Sequence, residues 1–525
     1  MQNPQDPLGL EPFAEQQAEQ EQHAQQPARP QRQAKNRLWA AFVFPRFALE
    51  TLVQGVAEQA CDVVVNGTGS APRIVAASAS AEAAGVSTGM SLSAALAVVP
   101  ELRAQPRQIA REQEALLTLA AWAGQFTSLA CPKYADPPVL LLELGASQRL
   151  FGDPQLLAGR IVDGLAELGF AAQWSLAPTP TAAILLARSG RTARVNCVAD
   201  IRSALDVVPV QCLDLEPHAV AALLGVGVRY LADCWALPRA ETARRIGPKL
   251  WEQIDCALGV RADPRKPYRI PARIRHRLNL PSPVIGIEAM LFALGRLLRQ
   301  IEGVLIARGS AVQVLELELG LSGGGSTRVA VELIAPSRDT KHLLSLLRHR
   351  LEAIQLSDPV EQVLLEATQC VSLAPRNLDL FDNRVAQEDE WAATLERLNA
   401  RLGVSGVHGI ELQAEHRPEH AWRPVAPSTA RQDSKTRQLM STQMFGQHRP
   451  LWLLSEPCHL ELRDGLPCYG GPLQLQTSAE RIEGGWWEGR DVSRDYHVAV
   501  NAAGERYWIY RDRRQRSWYL HGVFS

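Results

Sequence analysis

Seven consecutive apolar residues, Leu38 to Phe44 (LWAAFVF), constrain this chain more than any other stretch. A strand with one wet face alternates apolar and polar side chains. An unbroken apolar run must be covered on both faces. The chain therefore needs a sheet with packed layers on either side. Further strands are expected at 62–67 (DVVVNG), 73–78 (RIVAAS), 139–144 (VLLLEL) and 173–177 (QWSLA). Helices are expected at 46–58, in SAEAAG and SLSAALAVV on either side of Thr88-Gly89, and at 108–127, 154–168 and 180–189. Strands and helices in alternation place 37–207 in a mixed α/β domain.

Residues 208–270 read as helical. The piece LLGVGVRYLADCWALPRAETARRIGPKLWEQI has a Gly-x-Gly turn and then a Gly-Pro turn, in the helix–hairpin–helix style. Such a hairpin can present backbone N–H groups to a phosphate, which suits DNA contact without sequence preference; plain helical packing is the alternative. Residues 271–372 read β-α-β-β-α-β. Gly323-Gly324-Gly325 falls between two strands with no Lys-Ser/Thr after it, so it is a hairpin turn rather than a phosphate loop. The chain carries 55 Lys/Arg and 56 Asp/Glu, a net charge of −1. Between Arg265 and Arg350, however, there are 14 basic against 6 acidic residues, a local excess of +8. Arg296, Arg299, Arg308, Arg328, Lys341 and Arg348 are the candidates for contact with a nucleic-acid backbone.

Residues 1–36 are Gln-rich and polar, and are expected to be a disordered tail. Residues 373–440 read as a linker, with a short helical stretch at 389–402 and one apolar cluster, Asn377-Leu378-Asp379-Leu380-Phe381. Residues 441–525 read as a small β-rich module. Its Trp486, Trp487, Trp508 and Trp518 are candidates for docking a protein partner. No apolar run reaches the ~18 residues of a membrane span, and no basic-then-apolar leader is expected. The nine cysteines form no C-x₂-C pair, and His416-x₃-His420 lacks a nearby Cys, so the expectation is free thiols in a reducing cytoplasm, with no metal and no cofactor.

The order of modules resembles the Y-family translesion DNA polymerases. PRIVAASASAEAAGVSTGMSLSAALAVVPEL is similar to the family's fingers segment, and the later GGPLQLQTSAERIEGGWWEGRDVSRDYHVAV and SWYLHGVF to the polymerase-like subunits of bacterial mutagenesis cassettes. The resemblance covers about 37–525. It implies an α+β multidomain fold: palm with fingers over 37–207 (fingers about 46–105), helical thumb over 208–270, βαββαβ little finger over 271–372 and the β-rich C-terminal module.

Nucleotidyl transfer needs carboxylates that hold two Mg²⁺ ions. The resemblance places the family's D-x-D pair on Phe42 and Phe44 and its Asp-Glu pair on Pro138 and Val139. Asp136 and Glu143 are near in sequence but out of register, because a strand alternates its faces. The family's Tyr and Arg ligands of the triphosphate fall on Ala79 and Glu82, and its later lysine near Ile184. The expectation is a polymerase fold without the chemistry; an active polymerase with displaced carboxylates is the alternative. NLDLF resembles the Q-L-x-L-F peptide that docks on the β sliding clamp, with Asn377 in place of Gln. The implied role is a scaffold in error-prone translesion synthesis. The implied partners are the β sliding clamp, a RecA-related accessory protein, the α subunit of an error-prone C-family DNA polymerase and primer–template DNA.

Overall fold

The computed structural model describes residues 37–52, 62–67, 72–373, 384–403, 406–425, 449–485, 489 and 491–524. The tail 1–36, the peptide Asn377–Phe381 and the pair Trp486-Trp487 lie outside the described residues. The chain divides into two compact units, one ending at Ile270 and the other running on from Pro271.

The first unit begins β1 (Trp39–Val43), α1 (Phe47–Leu52), β2 (Asp62–Asn66), β3 (Arg73–Ala77), α2 (Ala79–Ala83), α3 (Leu92–Val98) and β4 (Arg103–Pro106). It continues α4 (Ile109–Ala123), β5 (Ala130–Lys133), β6 (Val139–Glu143), α5 (Gln148–Phe151), α6 (Pro154–Glu167), β7 (Gln173–Ala177) and α7 (Pro180–Arg188). The helices α8 (Ile201–Leu205), α9 (Pro217–Gly225), α10 (Leu231–Cys234), α11 (Arg239–Ile246) and α12 (Lys249–Ala257) close it.

The main sheet has the order β5-β6-β1-β7, with every neighbour antiparallel. Every residue of β1 is buried. Ala40 and Phe42 point into a core with Leu116 and Leu119 of α4 and Leu157, Ile161 and Leu165 of α6. Trp39, Ala41 and Val43 point the other way, into a core with Ile184 of α7 and Leu223, Leu250 and Ile254 of the later helices. Two covered faces are the physical reason that the run LWAAFVF never alternates.

A second sheet, β3-β2-β4, carries its own small core of Val63, Ile74, Ala81, Val86 and Leu102. Ser78 and Ser91 cap α2 and α3, each side chain accepting from a backbone N–H three residues on. Gly227, at φ +87°, makes the turn between α9 and α10, and Asp233 accepts the N–H groups of Arg229 and Tyr230 there.

The second unit opens with the expected β-α-β-β-α-β order: β8 (Ile274–Val284), α13 (Ile287–Arg308), β9 (Ser310–Leu321), β10 (Ser326–Ser337), α14 (Thr340–Glu352) and β11 (Val360–Ser372). The sheet order is β10-β9-β11-β8, antiparallel throughout. Leu278, Leu315, Leu317, Val331 and Leu365 are buried on the face that α13 and α14 cover. The alternate residues form the other face: Arg275, Arg277 and Arg328 with Glu316, Glu318, Glu332 and Glu366.

Part of the expected linker is helical and packed. Helix α15 (Arg384–Leu402) packs on α14 and β10, burying Ala392, Leu395 and Ala400. Its anchor is a charged residue. The Glu396 carboxylate accepts the backbone N–H groups of Ile334 (2.6 Å) and Ala335 (3.0 Å) and lies 2.5 Å from His342 Nε2. Replacing Glu396 by Ala leaves those half-buried donors without an acceptor, at about 1 kcal/mol or more each. Hydrogen exchange on the full-length Glu396→Ala protein is expected to show α15 amides losing protection while β9 amides keep theirs. Unchanged α15 protection would show that the apolar contacts suffice.

The C-terminal part holds the hairpin β12 (Gly409–Leu412) and β13 (Trp422–Val425), then β14 (Trp452–Arg463), β15 (Leu466–Cys468), β16 (Gln474–Leu475), β17 (Glu480–Gly484), β18 (Val492–Val500), β19 (Arg506–Asp512) and β20 (Trp518–Val523). Strands β14 to β20 form one sheet, ordered β15-β14-β20-β19-β18-β16, with β17 also on β18. Leu460, Tyr507, Ile509 and Leu520 make one core of this sheet, and Ile482, Tyr496, Val498, Trp508 and Tyr510 another.

Candidate functional site

The antiparallel register of β1 on β6 sets Phe42 opposite Leu140 and Val43 opposite Val139, and the Phe44 N–H donates to the Pro138 carbonyl at 3.1 Å. The two pairs expected from sequence, Phe42/Phe44 and Pro138/Val139, therefore lie side by side at one end of the sheet. Phe42, Phe44 and Val139 are 0 % exposed. The Phe44 ring is 5.3 Å from Phe47 and 6.3 Å from Phe170, and Phe47 is 5.2 Å from Phe170. This is a tilted and edge-on cluster of phenyl rings. It offers no oxygen to a hard cation such as Mg²⁺.

The nearby carboxylates are engaged elsewhere. Glu143 is buried at the far end of β6, where it accepts the N–H groups of Leu38, Gly145 and Ala146. Asp136 accepts from Arg107 Nη1 at 3.1 Å. Ala79 and Glu82 are exposed on α2, whereas Ile184 is buried in the core beneath β1. Among the described residues, no group of three or more His, Cys, Asp or Glu is placed to hold a metal ion. His416 and His420 are both exposed.

Around Glu112 sits an ionic network that apolar patterning does not reveal. Glu112, on the first turn of α4, is 1 % exposed. It receives Arg107 through Nε and Nη2, both at 2.9 Å, and the Tyr134 hydroxyl at 3.0 Å. The forked bond to Glu112 raises the Arg107 pKa above its ordinary value. Burial raises that of Tyr134, with the bond to Glu112 adding to it. The network ties β4, α4 and the β5–β6 turn together. Nearby, Lys133 donates to Asp214 at 2.8 Å and holds that carboxyl below its usual range.

The six basic candidates are not gathered on one face. Arg296 and Arg299 lie on α13, and Lys341 and Arg348 on α14. Arg348 is paired with Glu288 at 2.7 Å. Arg308 ends α13 and donates to the Ala272 carbonyl. Arg328 stands alone on the opposite side of the sheet, 3.2 Å from Glu318.

The aromatic candidates also divide. Trp508 is 2 % exposed and stacks on Tyr496 with centroids 4.1 Å apart, so it is core and not a docking side chain. The Tyr496 hydroxyl and His521 Nδ1, both buried, lie 2.8 Å apart behind it. Trp518 is half-buried beside His497.

The chain is similar to several known proteins. The impB/mucB/samB family matches residues 58–188. Protein ImuB of Caulobacter vibrioides, in strains NA1000 / CB15N and ATCC 19089 / CIP 103742 / CB 15, is 26% identical over 472 residues. That alignment takes in 84% of this chain and 100% of the relative. The chain is a homologue of ImuB. Among solved structures, it is similar to DinB from Sulfolobus solfataricus, at 14% identity and a TM-score of 0.36, covering 63% of this chain and 98% of that one. It is also similar to a Dbh ternary complex, at 13% identity and a TM-score of 0.36, covering 64% and 100%. The likeness to ImuB extends over 472 residues, whereas the family match ends at 188, so most of the second unit is shared with ImuB outside the matched family segment.

Proposed function

We propose that this ImuB homologue is a non-catalytic scaffold of SOS-type, error-prone translesion DNA synthesis. It links the β sliding clamp, an ImuA-like RecA-related protein and the α subunit of an error-prone C-family DNA polymerase at damaged primer–template DNA. The observation that carries the reading is the buried phenyl cluster at Phe42 and Phe44. Where the Y-family resemblance calls for carboxylates around two metal ions, this chain has Phe42, Phe44, Pro138 and Val139, all buried. Bond making would then belong to the partner polymerase. The proposed labels follow the module order: palm and fingers over 37–207, thumb over 208–270, little finger over 271–372 and a C-terminal docking module over 441–525. Asn377–Phe381 is the proposed clamp peptide. Trp486, Trp487 and Trp518 remain the proposed partner contacts.

The test has two arms. Homogeneous protein with Mg²⁺ or Mn²⁺ is expected to leave a primer unextended. Full-length protein is expected to retain clamp and partner polymerase in a pulldown, and a chain truncated at about 430 to keep the clamp and lose the polymerase. Template-dependent incorporation that disappears on changing a palm carboxylate would favour an active polymerase with displaced acids. Retention of neither partner would remove the scaffold role.

A further inference from the structure

We infer that α15 carries a docking stripe for an amphipathic helix with an acidic flank, supplied by a partner protein. The inference goes beyond the partner contacts proposed above, none of which lies on this helix.

Trp391, Leu395, Leu398 and Leu402 follow one another along α15 at steps of four, three and four. That is the spacing of a heptad seam, and at about 100° per residue the four positions share one narrow sector of the helix. The body of the protein uses only the edge of this seam. Leu395 is buried with Ala392 and Ala400, where α15 packs on α14 and β10. Trp391 is 56 % exposed, Leu398 42 % and Leu402 60 %. Three large apolar side chains therefore stand in a row in water, on a helix that its other side holds in place. Apolar residues scattered singly over a surface are ordinary, but a row at heptad spacing is the track along which a second helix packs. The indole of Trp391 supplies the aromatic anchor that such contacts favour.

The open flank of the stripe selects the partner's charge. Glu390, Thr394, Arg397 and Arg401 lie on the side away from Ala392, and both arginines are exposed. Arg397 donates within its own helix, Nε to the Ala393 carbonyl at 3.3 Å and Nη2 to the Thr394 hydroxyl at 3.2 Å. Among the described residues neither Arg397 nor Arg401 is paired with a carboxylate. Glu396 faces the other way, accepting the Ile334 and Ala335 N–H groups. Glu390 sits two turns before Arg397, about 10 Å along the axis and out of pairing distance. The cationic end of the flank thus runs beside Leu398 and Leu402. A helix lying in the stripe gains by placing carboxylates there.

The experiment is a fluorescence-anisotropy titration of full-length protein against two labelled synthetic helical peptides of about 20 residues. Both carry Leu at the seam positions; one has Glu and the other Lys at the flanking positions, and the like charges keep each peptide from pairing with itself. The Glu peptide is expected to bind in the micromolar range and the Lys peptide about tenfold more weakly. Arg397→Glu with Arg401→Glu is expected to reverse that order. Trp391→Ala with Leu398→Ala should weaken the Glu peptide about 30-fold, with hydrogen exchange across α15 as the folding control. Should α15 lose protection in that variant, Leu402→Ala, in the last turn, takes its place and is expected to lose about fivefold. Equal binding of the two peptides, or an order that the arginine reversals leave unchanged, overturns the acidic partner. Affinity that survives the Trp391 and Leu398 changes overturns the stripe, as does a wild-type protein that binds neither peptide at about 1 mM. A concentration-dependent dimer in sedimentation velocity, lost in the Trp391→Ala/Leu398→Ala protein, would give the stripe to a second copy and overturn the inference as well.

Discussion

Installing aspartate at Phe42 and Phe44 will unfold the first unit rather than create a polymerase. Each phenyl ring is fully buried, and removing one from a packed core costs about 3–5 kcal/mol. The incoming carboxylate adds several kcal/mol, because it enters a core of apolar side chains, Phe47 and Phe170 with Leu116 and Leu119 of α4 and Leu157, Ile161 and Leu165 of α6. Two such changes together cost about 8 kcal/mol or more, comparable with the whole stability of a typical domain. Limited proteolysis and near-ultraviolet circular dichroism of Phe42→Asp/Phe44→Asp protein are expected to show first-unit cleavage sites opening and tertiary signal lost. A soluble, protease-resistant double mutant would mean that this end of the sheet has room and water, and would revive the case for metal binding there.

The second large effect concerns the proposed clamp peptide. Its Leu378, Leu380 and Phe381 are apolar side chains in a polar stretch. An extended peptide of this pattern places such side chains in pockets, and truncating an anchor typically costs ~2 kcal/mol, about 30-fold in affinity. Changing Leu380 and Phe381 to Ala is expected to abolish measurable clamp binding and damage-induced mutagenesis, with melting, DNA affinity and polymerase pulldown unchanged. Equal clamp affinity in titrations of both proteins would move the contact elsewhere, with Gln443-Met444-Phe445 the next candidate; that segment also lies outside the described residues. A large fall in melting temperature would instead assign Leu380 and Phe381 to a core.

What the sequence disclosed follows from where its periodicity is strong. LWAAFVF predicted a strand buried on two sides, and β1 is that strand. The long helix α13 and the four strands of its sheet follow the expected β-α-β-β-α-β order. The short strands β4 (RAQP) and β5 (ACPK) escaped notice because each has four residues, one of them proline. Helix α15 was expected only as a short stretch within a linker. Its strongest tie to the fold is the buried carboxylate of Glu396, and apolar patterning is blind to a buried charge. The Arg107–Glu112 pair was hidden for the same reason.

Trp508 could have been placed correctly. It lies in Tyr507-Trp508-Ile509-Tyr510, an unbroken apolar run in which all four residues are buried, and the rule that explained LWAAFVF applies to it equally. The six basic candidates show the limit of counting. A charge excess along the chain is a scalar, and only the fold divides it between two faces of one sheet.

The docking of α15 turns the proposed clamp contact into a short leash. Leu373 is held at one end, its N–H on the Gly309 carbonyl, and the helix that begins at Arg384 is held at the other by Glu396. Only ten residues join them, so the middle of that stretch can stand off by at most about five residues of extended chain, roughly 17 Å. A clamp caught there would ride close beside the four-stranded sheet domain and would feel its orientation. A partner tethered through a free tail would not.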